Sequence, residues 1–256
     1  MNKKLILPPV NRAAYSDRTA WILANCSKFA YDTGTRLAKA LKPFHLKLDN
    51  EYADPKTQNS AYLAVHEAYA VLAFKGTVPS ESGTVKTDLD FKMVRARYGE
   101  FHQGFLDAYR KFSKEIEVDL AKLEVPIYVT GHSLGGALAL VATTFLKEQD
   151  KLAACYTYGC PKVGNDRFAH HLFKVPVHRC VHHADIVPAV PFTIMGYRQY
   201  GDIRFLTGND KVCGGSAAVF SRFLAMLNPI NIIHWISDHA IENYVHILEE
   251  FAESRN

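Results

Sequence analysis

Ser133 stands between two glycines in Gly131-His132-Ser133-Leu134-Gly135. A serine hydroxyl becomes a nucleophile when a histidine takes its proton and an acid orients that histidine. An apolar run, Val125 to Thr130, precedes this stretch, and the small-residue pattern Gly136-Ala137-Leu138-Ala139-Leu140-Val141-Ala142 follows it. The order predicts a strand, a sharp turn with Ser133 at its apex, and a helix. Glycines without Cβ atoms let the turn tighten and the helix pack close to the strand. The hydroxyl then projects above a sheet, and the helix N-terminus offers backbone N–H groups to a developing oxyanion.

A serine on such a turn has its partners downstream in the order serine, acid, histidine. The acid belongs just after a strand. Val177-His178-Arg179-Cys180-Val181 alternates like one, and His182-His183-Ala184-Asp185 leaves it, with Ile186-Val187-Pro188 ending further pairing. Asp185 is therefore the candidate acid. Asp150, Asp166, Asp202 and Asp210 also follow the serine, at polar helix, loop, strand-opening and turn positions that suit solvated or capping acids. The base belongs late in the chain. His239 is the candidate, at the expected first turn of the last helix with Asp238 as N-cap. His234, in an apolar segment, is the runner-up, and His246 falls mid-helix. His182 and His183 precede the acid and either line the site or end the strand.

An oxyanion needs two donors. One is the backbone N–H of Leu134, the residue after the nucleophile. The other is expected where Phe74-Lys75-Gly76-Thr77 ends an earlier strand. Thr77 can supply both its N–H and its hydroxyl; the alternative is an ordinary turn residue.

These side chains need a scaffold. Trp21, Ile22, Cys26, Phe29, Leu37 and Leu41 give a helical period over 18–42, ended by Pro43. Tyr62 to Val65 and Tyr69 to Phe74 read as adjacent strands. Residues 77–100 read as a long polar loop, and 104–124 as one amphipathic helix. Further strands are expected at Ile127–Thr130, Ala153–Tyr158, Val177–Val181 and Ile203–Leu206, and a last helix from Ala240 to Phe251. Strands alternating with helices predict an α/β fold: a mostly parallel central sheet covered by helices on both faces, in a single domain over 1–256.

With 256 residues, 48% of them hydrophobic and 22% charged, the composition is that of a globular chain. A net charge of +4, with lysines and arginines scattered, gives no reason to expect nucleic acid. No segment is long and apolar enough to span a bilayer. Cys26, Cys155, Cys160, Cys180 and Cys213 are odd in number and contain no C-x-x-C. The N-terminal Met-Asn-Lys-Lys-Leu-Ile-Leu run is cut by Pro8-Pro9 before it can form a secretory signal. Both features predict reduced thiols and a cytoplasmic location, with export by a route lacking such a signal left open.

Seven blocks in order resemble the class 3 (fungal-type) lipase family of α/β-hydrolases. They are Ala73 to Thr77, His102-Gln103-Gly104-Phe105, Thr130 to Ala137, Tyr158-Gly159-Cys160-Pro161-Lys162-Val163-Gly164-Asn165, Asp185-Ile186-Val187-Pro188, Tyr197 to Gly201, and Asp238 to Tyr244. The resemblance implies Ser133 as nucleophile, Asp185 as acid, His239 as base, Thr77 and Leu134 as oxyanion donors, a lipid or ester substrate, and no metal or organic cofactor. It departs from the family pattern at Lys75, where arginine is usual, and after Thr77, where a tryptophan-containing helix is usual. Rival readings are a phospholipase A1 or galactolipase, a carboxylesterase for soluble esters, and, from another class, a hydrolase-fold binding module without catalysis.

The segment from Ser216 to Ser237 is unusually apolar. It reads as core, as a lid or acyl-pocket wall, or as a surface for transient contact with a lipid interface. Phe220, Phe223, Leu224 and Trp235 are its candidate substrate-binding residues.

Overall fold

A computed structural model describes residues 14–76, 91–146, 150–173, 175–207, 212–214 and 237–254. The chain opens with helices α1 (Asp17–Phe29) and α2 (Gly34–Leu41), then strands β1 (Lys47–Ala53), β2 (Ser60–His66) and β3 (Tyr69–Phe74). A hairpin, β4 (Met93–Ala96) and β5 (Gly99–His102), leads into α3 (Gln103–Arg110) and α4 (Ser113–Ala121). There follow β6 (Ile127–His132), α5 (Leu134–Leu146), β7 (Leu152–Tyr158), α6 (Asp166–His171), β8 (Val177–His182), β9 (Asp202–Leu206), β10 (Val212–Gly214) and α7 (Ile241–Ser254).

Eight strands form one sheet in the order β1-β2-β3-β6-β7-β8-β9-β10, with β4 and β5 paired separately. The run β3-β6-β7-β8-β9 is parallel throughout, and antiparallel strands close both edges. Strand periodicity divides the core into two layers. Ala70, Leu72 and Phe74 of β3 and Ile127 and Val129 of β6 face a layer holding α3, α4 and α5. Tyr69, Val71 and Ala73 of β3 and Tyr128 of β6 face the opposite layer, with α1, α2 and α7. The α/β-hydrolase architecture expected from the sequence is thus present, with helices on both faces. Strands buried on both sides read as continuous apolar runs, which is why β3 and β6 were legible.

Some elements differ from expectation. The helical period over 18–42 is two helices, because Thr33 adopts extended backbone (φ −139°) and restarts the chain as the N-cap of α2. The 104–124 helix is likewise split at Lys111-Phe112. Part of the 77–100 loop is the β4–β5 hairpin, whose four-residue strands are too short and polar to show a clear period. Strand β1, an edge strand exposed at alternate positions, was not expected either.

Among the described residues no helix is long and apolar enough to cross a membrane. Cys26, Cys155, Cys160 and Cys180 are buried and unpaired. Burial pushes the thiols of Cys26, Cys155 and Cys180 up to about 12, and that of Cys160 higher still.

Candidate active site

The candidate residues collect at the carboxyl ends of parallel strands, where ligands bind in sheets of this kind. Ser133 follows β6 directly and precedes α5. Its φ is +57°, in the left-handed region that side chains bearing a Cβ avoid. Three hydrogen bonds hold it there. Its N–H donates to the Tyr158 carbonyl at 2.9 Å, and its own carbonyl accepts from the N–H groups of Gly136 at 3.0 Å and Ala137 at 3.2 Å. The flanking glycines are required by close approach. A Cβ on Gly131 would overlap the backbone of Gly135, and one on Gly135 would overlap the carbonyl oxygen of Phe74. The helix therefore starts against the end of β3. Leu134 is its first residue, so its N–H lies among the first-turn donors that no helical carbonyl satisfies.

The chain leaves β3 through Lys75 and Gly76, where a Cβ would lie 2.6 Å from the His132 carbonyl oxygen and also meet the Tyr31 hydroxyl. Thr77, the next residue, lies outside the described residues, as do His234, Phe220, Phe223, Leu224 and Trp235.

Asp185 leaves β8 fully buried. His239 Nδ1 lies 2.9 Å from Asp185 Oδ2. The carboxylate accepts, so Nδ1 carries the proton and Nε2 presents its lone pair. That Nε2 is buried and makes no hydrogen bond among the described residues. Tyr244, on α7, donates its hydroxyl to the same Oδ2 at 2.5 Å, and the Val187 N–H donates to Oδ1 at 2.9 Å. Burial raises the Asp185 pKa, but the facing His239 and the donors from His239, Tyr244 and Val187 outweigh it, and the carboxyl sits below its usual range.

Ser133 and the couple meet through their neighbours. The His132 and His239 rings are 4.6 Å apart between centroids. Gly159, which follows the residue that anchors the Ser133 N–H, has φ +57°, and a Cβ there would lie 2.7 Å from Asp185 Oδ2 and 2.8 Å from His239 Cε1. The fold thus brings Ser133, Asp185 and His239 into one corner, and leaves Asp150, Asp202 and His246 out of these contacts.

Two expectations are revised. Asp238 does not cap the last helix, which starts at Ile241; His239 ends a 3-10 turn, Ser237–His239, and the Asp238 carboxylate accepts from His183 Nδ1 and the Ala184 N–H. His182 and His183 do not simply end a strand, since both donate to Asp238. Residue-by-residue reading did not assign Tyr244 a role; its signal was a tyrosine one and a half helical turns beyond the candidate base. Nor did it assign one to His132, which lies within the serine motif itself. Its Nε2 donates to the His239 carbonyl at 2.7 Å, and its Nδ1 accepts from the Tyr31 hydroxyl at 2.9 Å. Burial, then the neighbouring His239, lowers the His132 pKa from 6.5 to about 3, so the ring is neutral. Among the described residues, no group of three or more His, Cys, Asp or Glu side chains is arranged to hold a metal ion.

Comparison with known proteins agrees with this architecture. The profile of the family described as Lipase (class 3) matches residues 71–195. A secreted mono- and diacylglycerol lipase 1 of Fusarium solani is 38% identical over 184 residues, covering 64% of this chain and 55% of the relative. A lipase of Rhizopus niveus is 34% identical over 162 residues, covering 56% of this chain and 40% of the relative. The chain therefore spans about half the length of the curated relatives it matches. The solved structure of lipase II from Rhizopus niveus superposes with a TM-score of 0.69 at 25% identity, over 86% of this chain and 89% of that one.

The expected cytoplasmic location is overturned, because the Fusarium relative is named as secreted and points to an extracellular setting. The inference from cysteine count failed for a physical reason: buried thiols are shielded from oxidation in either compartment. The stretch that matches the class 3 lipase family, residues 71–195, holds the serine turn, the Asp185 exit of β8 and the strands between them.

Proposed function

We propose that this chain is an extracellular serine hydrolase, acting as one domain, that cleaves carboxylic esters of lipids. The observation that supports this best is the buried His239–Asp185 couple, whose Nε2 makes no hydrogen bond among the described residues, beside a serine held at φ +57°. Ser133 Oγ attacks the ester carbonyl carbon while His239 Nε2 takes the hydroxyl proton. Asp185 holds the imidazole and stabilises its charged form. The Leu134 N–H and Thr77 receive the oxyanion. The tetrahedral intermediate collapses, the alcohol leaves with the proton from His239, and the acyl group stays on Ser133. Water then gives a proton to Nε2 as it attacks the acyl-enzyme carbonyl. The second tetrahedral intermediate collapses, Ser133 Oγ leaves with the proton from His239, and the fatty acid is released.

The test is initial rates on p-nitrophenyl esters from acetyl to palmitoyl, below and above their solubility limits, for the unmodified chain and Ser133→Ala. Loss of kcat on the order of 10⁶-fold in the variant is expected. A preference for long chains, with a jump above the solubility limit, supports a lipase that contacts an interface. Activity confined to soluble short esters supports a carboxylesterase. No Ser133-dependent turnover, with no labelling by a fluorophosphonate, overturns the reading in favour of a non-catalytic module.

A further inference from the structure

The two segments that meet at the candidate base each carry one imidazole and one carboxylate. The exit of β8 carries His183 and Asp185, and the 3-10 turn carries Asp238 and His239. They exchange hydrogen bonds in both directions. His239 Nδ1 donates to Asp185 Oδ2 at 2.9 Å, and His183 Nδ1 donates to Asp238 Oδ2 at 2.8 Å. The Ala184 N–H adds a bond to the same Asp238 oxygen at 3.1 Å, and His182 Nδ1 donates to the Asp238 carbonyl at 2.9 Å.

His132 Nε2 anchors the turn from the serine side, at the His239 carbonyl. Within 237–240 it is closed by the Ala240 N–H to the Ser237 carbonyl at 3.1 Å, and Asn243 Nδ2 reaches that carbonyl at 2.8 Å. Its aim relative to β8 comes from side chains. The Asp238 side chain is 12% exposed and that of His183 25% exposed, so the carboxylate has given up most of its water for these donors. His183 also has φ +36°, a conformation that costs energy and persists only where surroundings enforce it.

We propose that Asp238 and His183 are positioning residues, and that their couple sets the distance and aim of His239 toward Asp185 and Ser133. The proposal rests on the reading of Ser133, His239 and Asp185 as an ester-cleaving triad. Neither residue touches the reacting atoms. A displacement of about 1 Å in such a constellation costs on the order of 100-fold in rate.

Asp238→Ala and His183→Ala should each lower kcat on soluble p-nitrophenyl butyrate by roughly 10- to 100-fold, with KM changed less than about twofold. Asp238→Asn keeps an oxygen that can accept from both donors, and His183→Asn places an amide donor near the former Nδ1 position; both should hold kcat within about threefold. The downfield proton resonance of His239 Nδ1–H, observed in the Ser133→Ala background, should shift or broaden with Asp238→Ala and persist with Asp238→Asn. An alanine variant with unchanged kcat and an unchanged resonance overturns the proposal, as does equal loss in the alanine and asparagine variants. Should Asp238→Ala fail to fold, the two His183 variants decide. Absent Ser133-dependent turnover in the unmodified chain, the ester-cleaving reading fails, and the resonance alone tests the clamp.

Discussion

His132 donates its Nε2 proton to the main-chain carbonyl of His239 at 2.7 Å, joining the serine turn to the turn of the base across 107 residues of chain. The neutral ring with Nε2–H satisfies both of its partners, with the Tyr31 hydroxyl donating to Nδ1. Protonation of Nδ1 would reverse the Tyr31 bond and place a charge in a buried site beside His239.

This gives a pH dependence of stability. In the unfolded chain His132 titrates near its ordinary value, and in the fold near 3. Between those values the unfolded state binds the extra proton, so its contribution to stability is complete above about pH 6.5 and is lost as pH falls toward 3, at up to about 1.4 kcal/mol per pH unit. Asp185, whose carboxyl is lowered in the fold, adds a loss of the same sign that begins only below about pH 4. Urea midpoints from pH 4 to 7 should fall with acidity, and His132→Phe should flatten the slope above pH 4.

Gly159→Ala should be severely damaging. The residue sits at φ +57°, and its new methyl would meet Asp185 Oδ2 at 2.7 Å and His239 Cε1 at 2.8 Å. The couple must shift, and kcat should fall by on the order of 100-fold or more. Steady-state rates, corrected by fluorophosphonate titration for folded sites, check this.

Tyr244→Phe removes one donor from a buried carboxylate and the acceptor of the His182 N–H. Loss of a hydrogen bond to a charged group should destabilise the fold by about 1.5–3 kcal/mol. The Asp185 carboxyl should also move up toward its ordinary range, so that its share of the acid-induced loss of stability below about pH 4 shrinks. Urea and acid titrations of the variant measure both effects.

Ser133→Gly and Ser133→Ala should be equally inactive yet differ in stability. Alanine keeps the left-handed strain of about 1–2 kcal/mol, while glycine relieves it at an entropic cost of about 0.5–1 kcal/mol. Calorimetry should therefore place the glycine variant's Tm at or above that of the alanine variant.

What could be read from sequence follows from physics that is local or periodic. The serine turn was legible because two glycines are dictated by backbone contact within a few residues. Strands β3 and β6 were legible because both faces are buried. Helix ends were less so, since the restart at Thr33 depends on one backbone torsion that apolar spacing does not record. The least legible part was the reciprocal bonding of His183 with Asp238, which depends on how the exit of β8 meets a turn more than fifty positions later. The His-His-Ala-Asp and Asp-His strings display the groups but not their pairing.

The four described cysteines carry one more implication. Each thiol is sealed in the core, and in three of them burial holds the thiolate back until about pH 12. Thiolate is the species that peroxides, disulfides and alkylating agents attack. These four sulfurs are in effect spectators, and in the folded chain their positions need neither a covalent crosslink nor a reductant to survive exposure to oxidants.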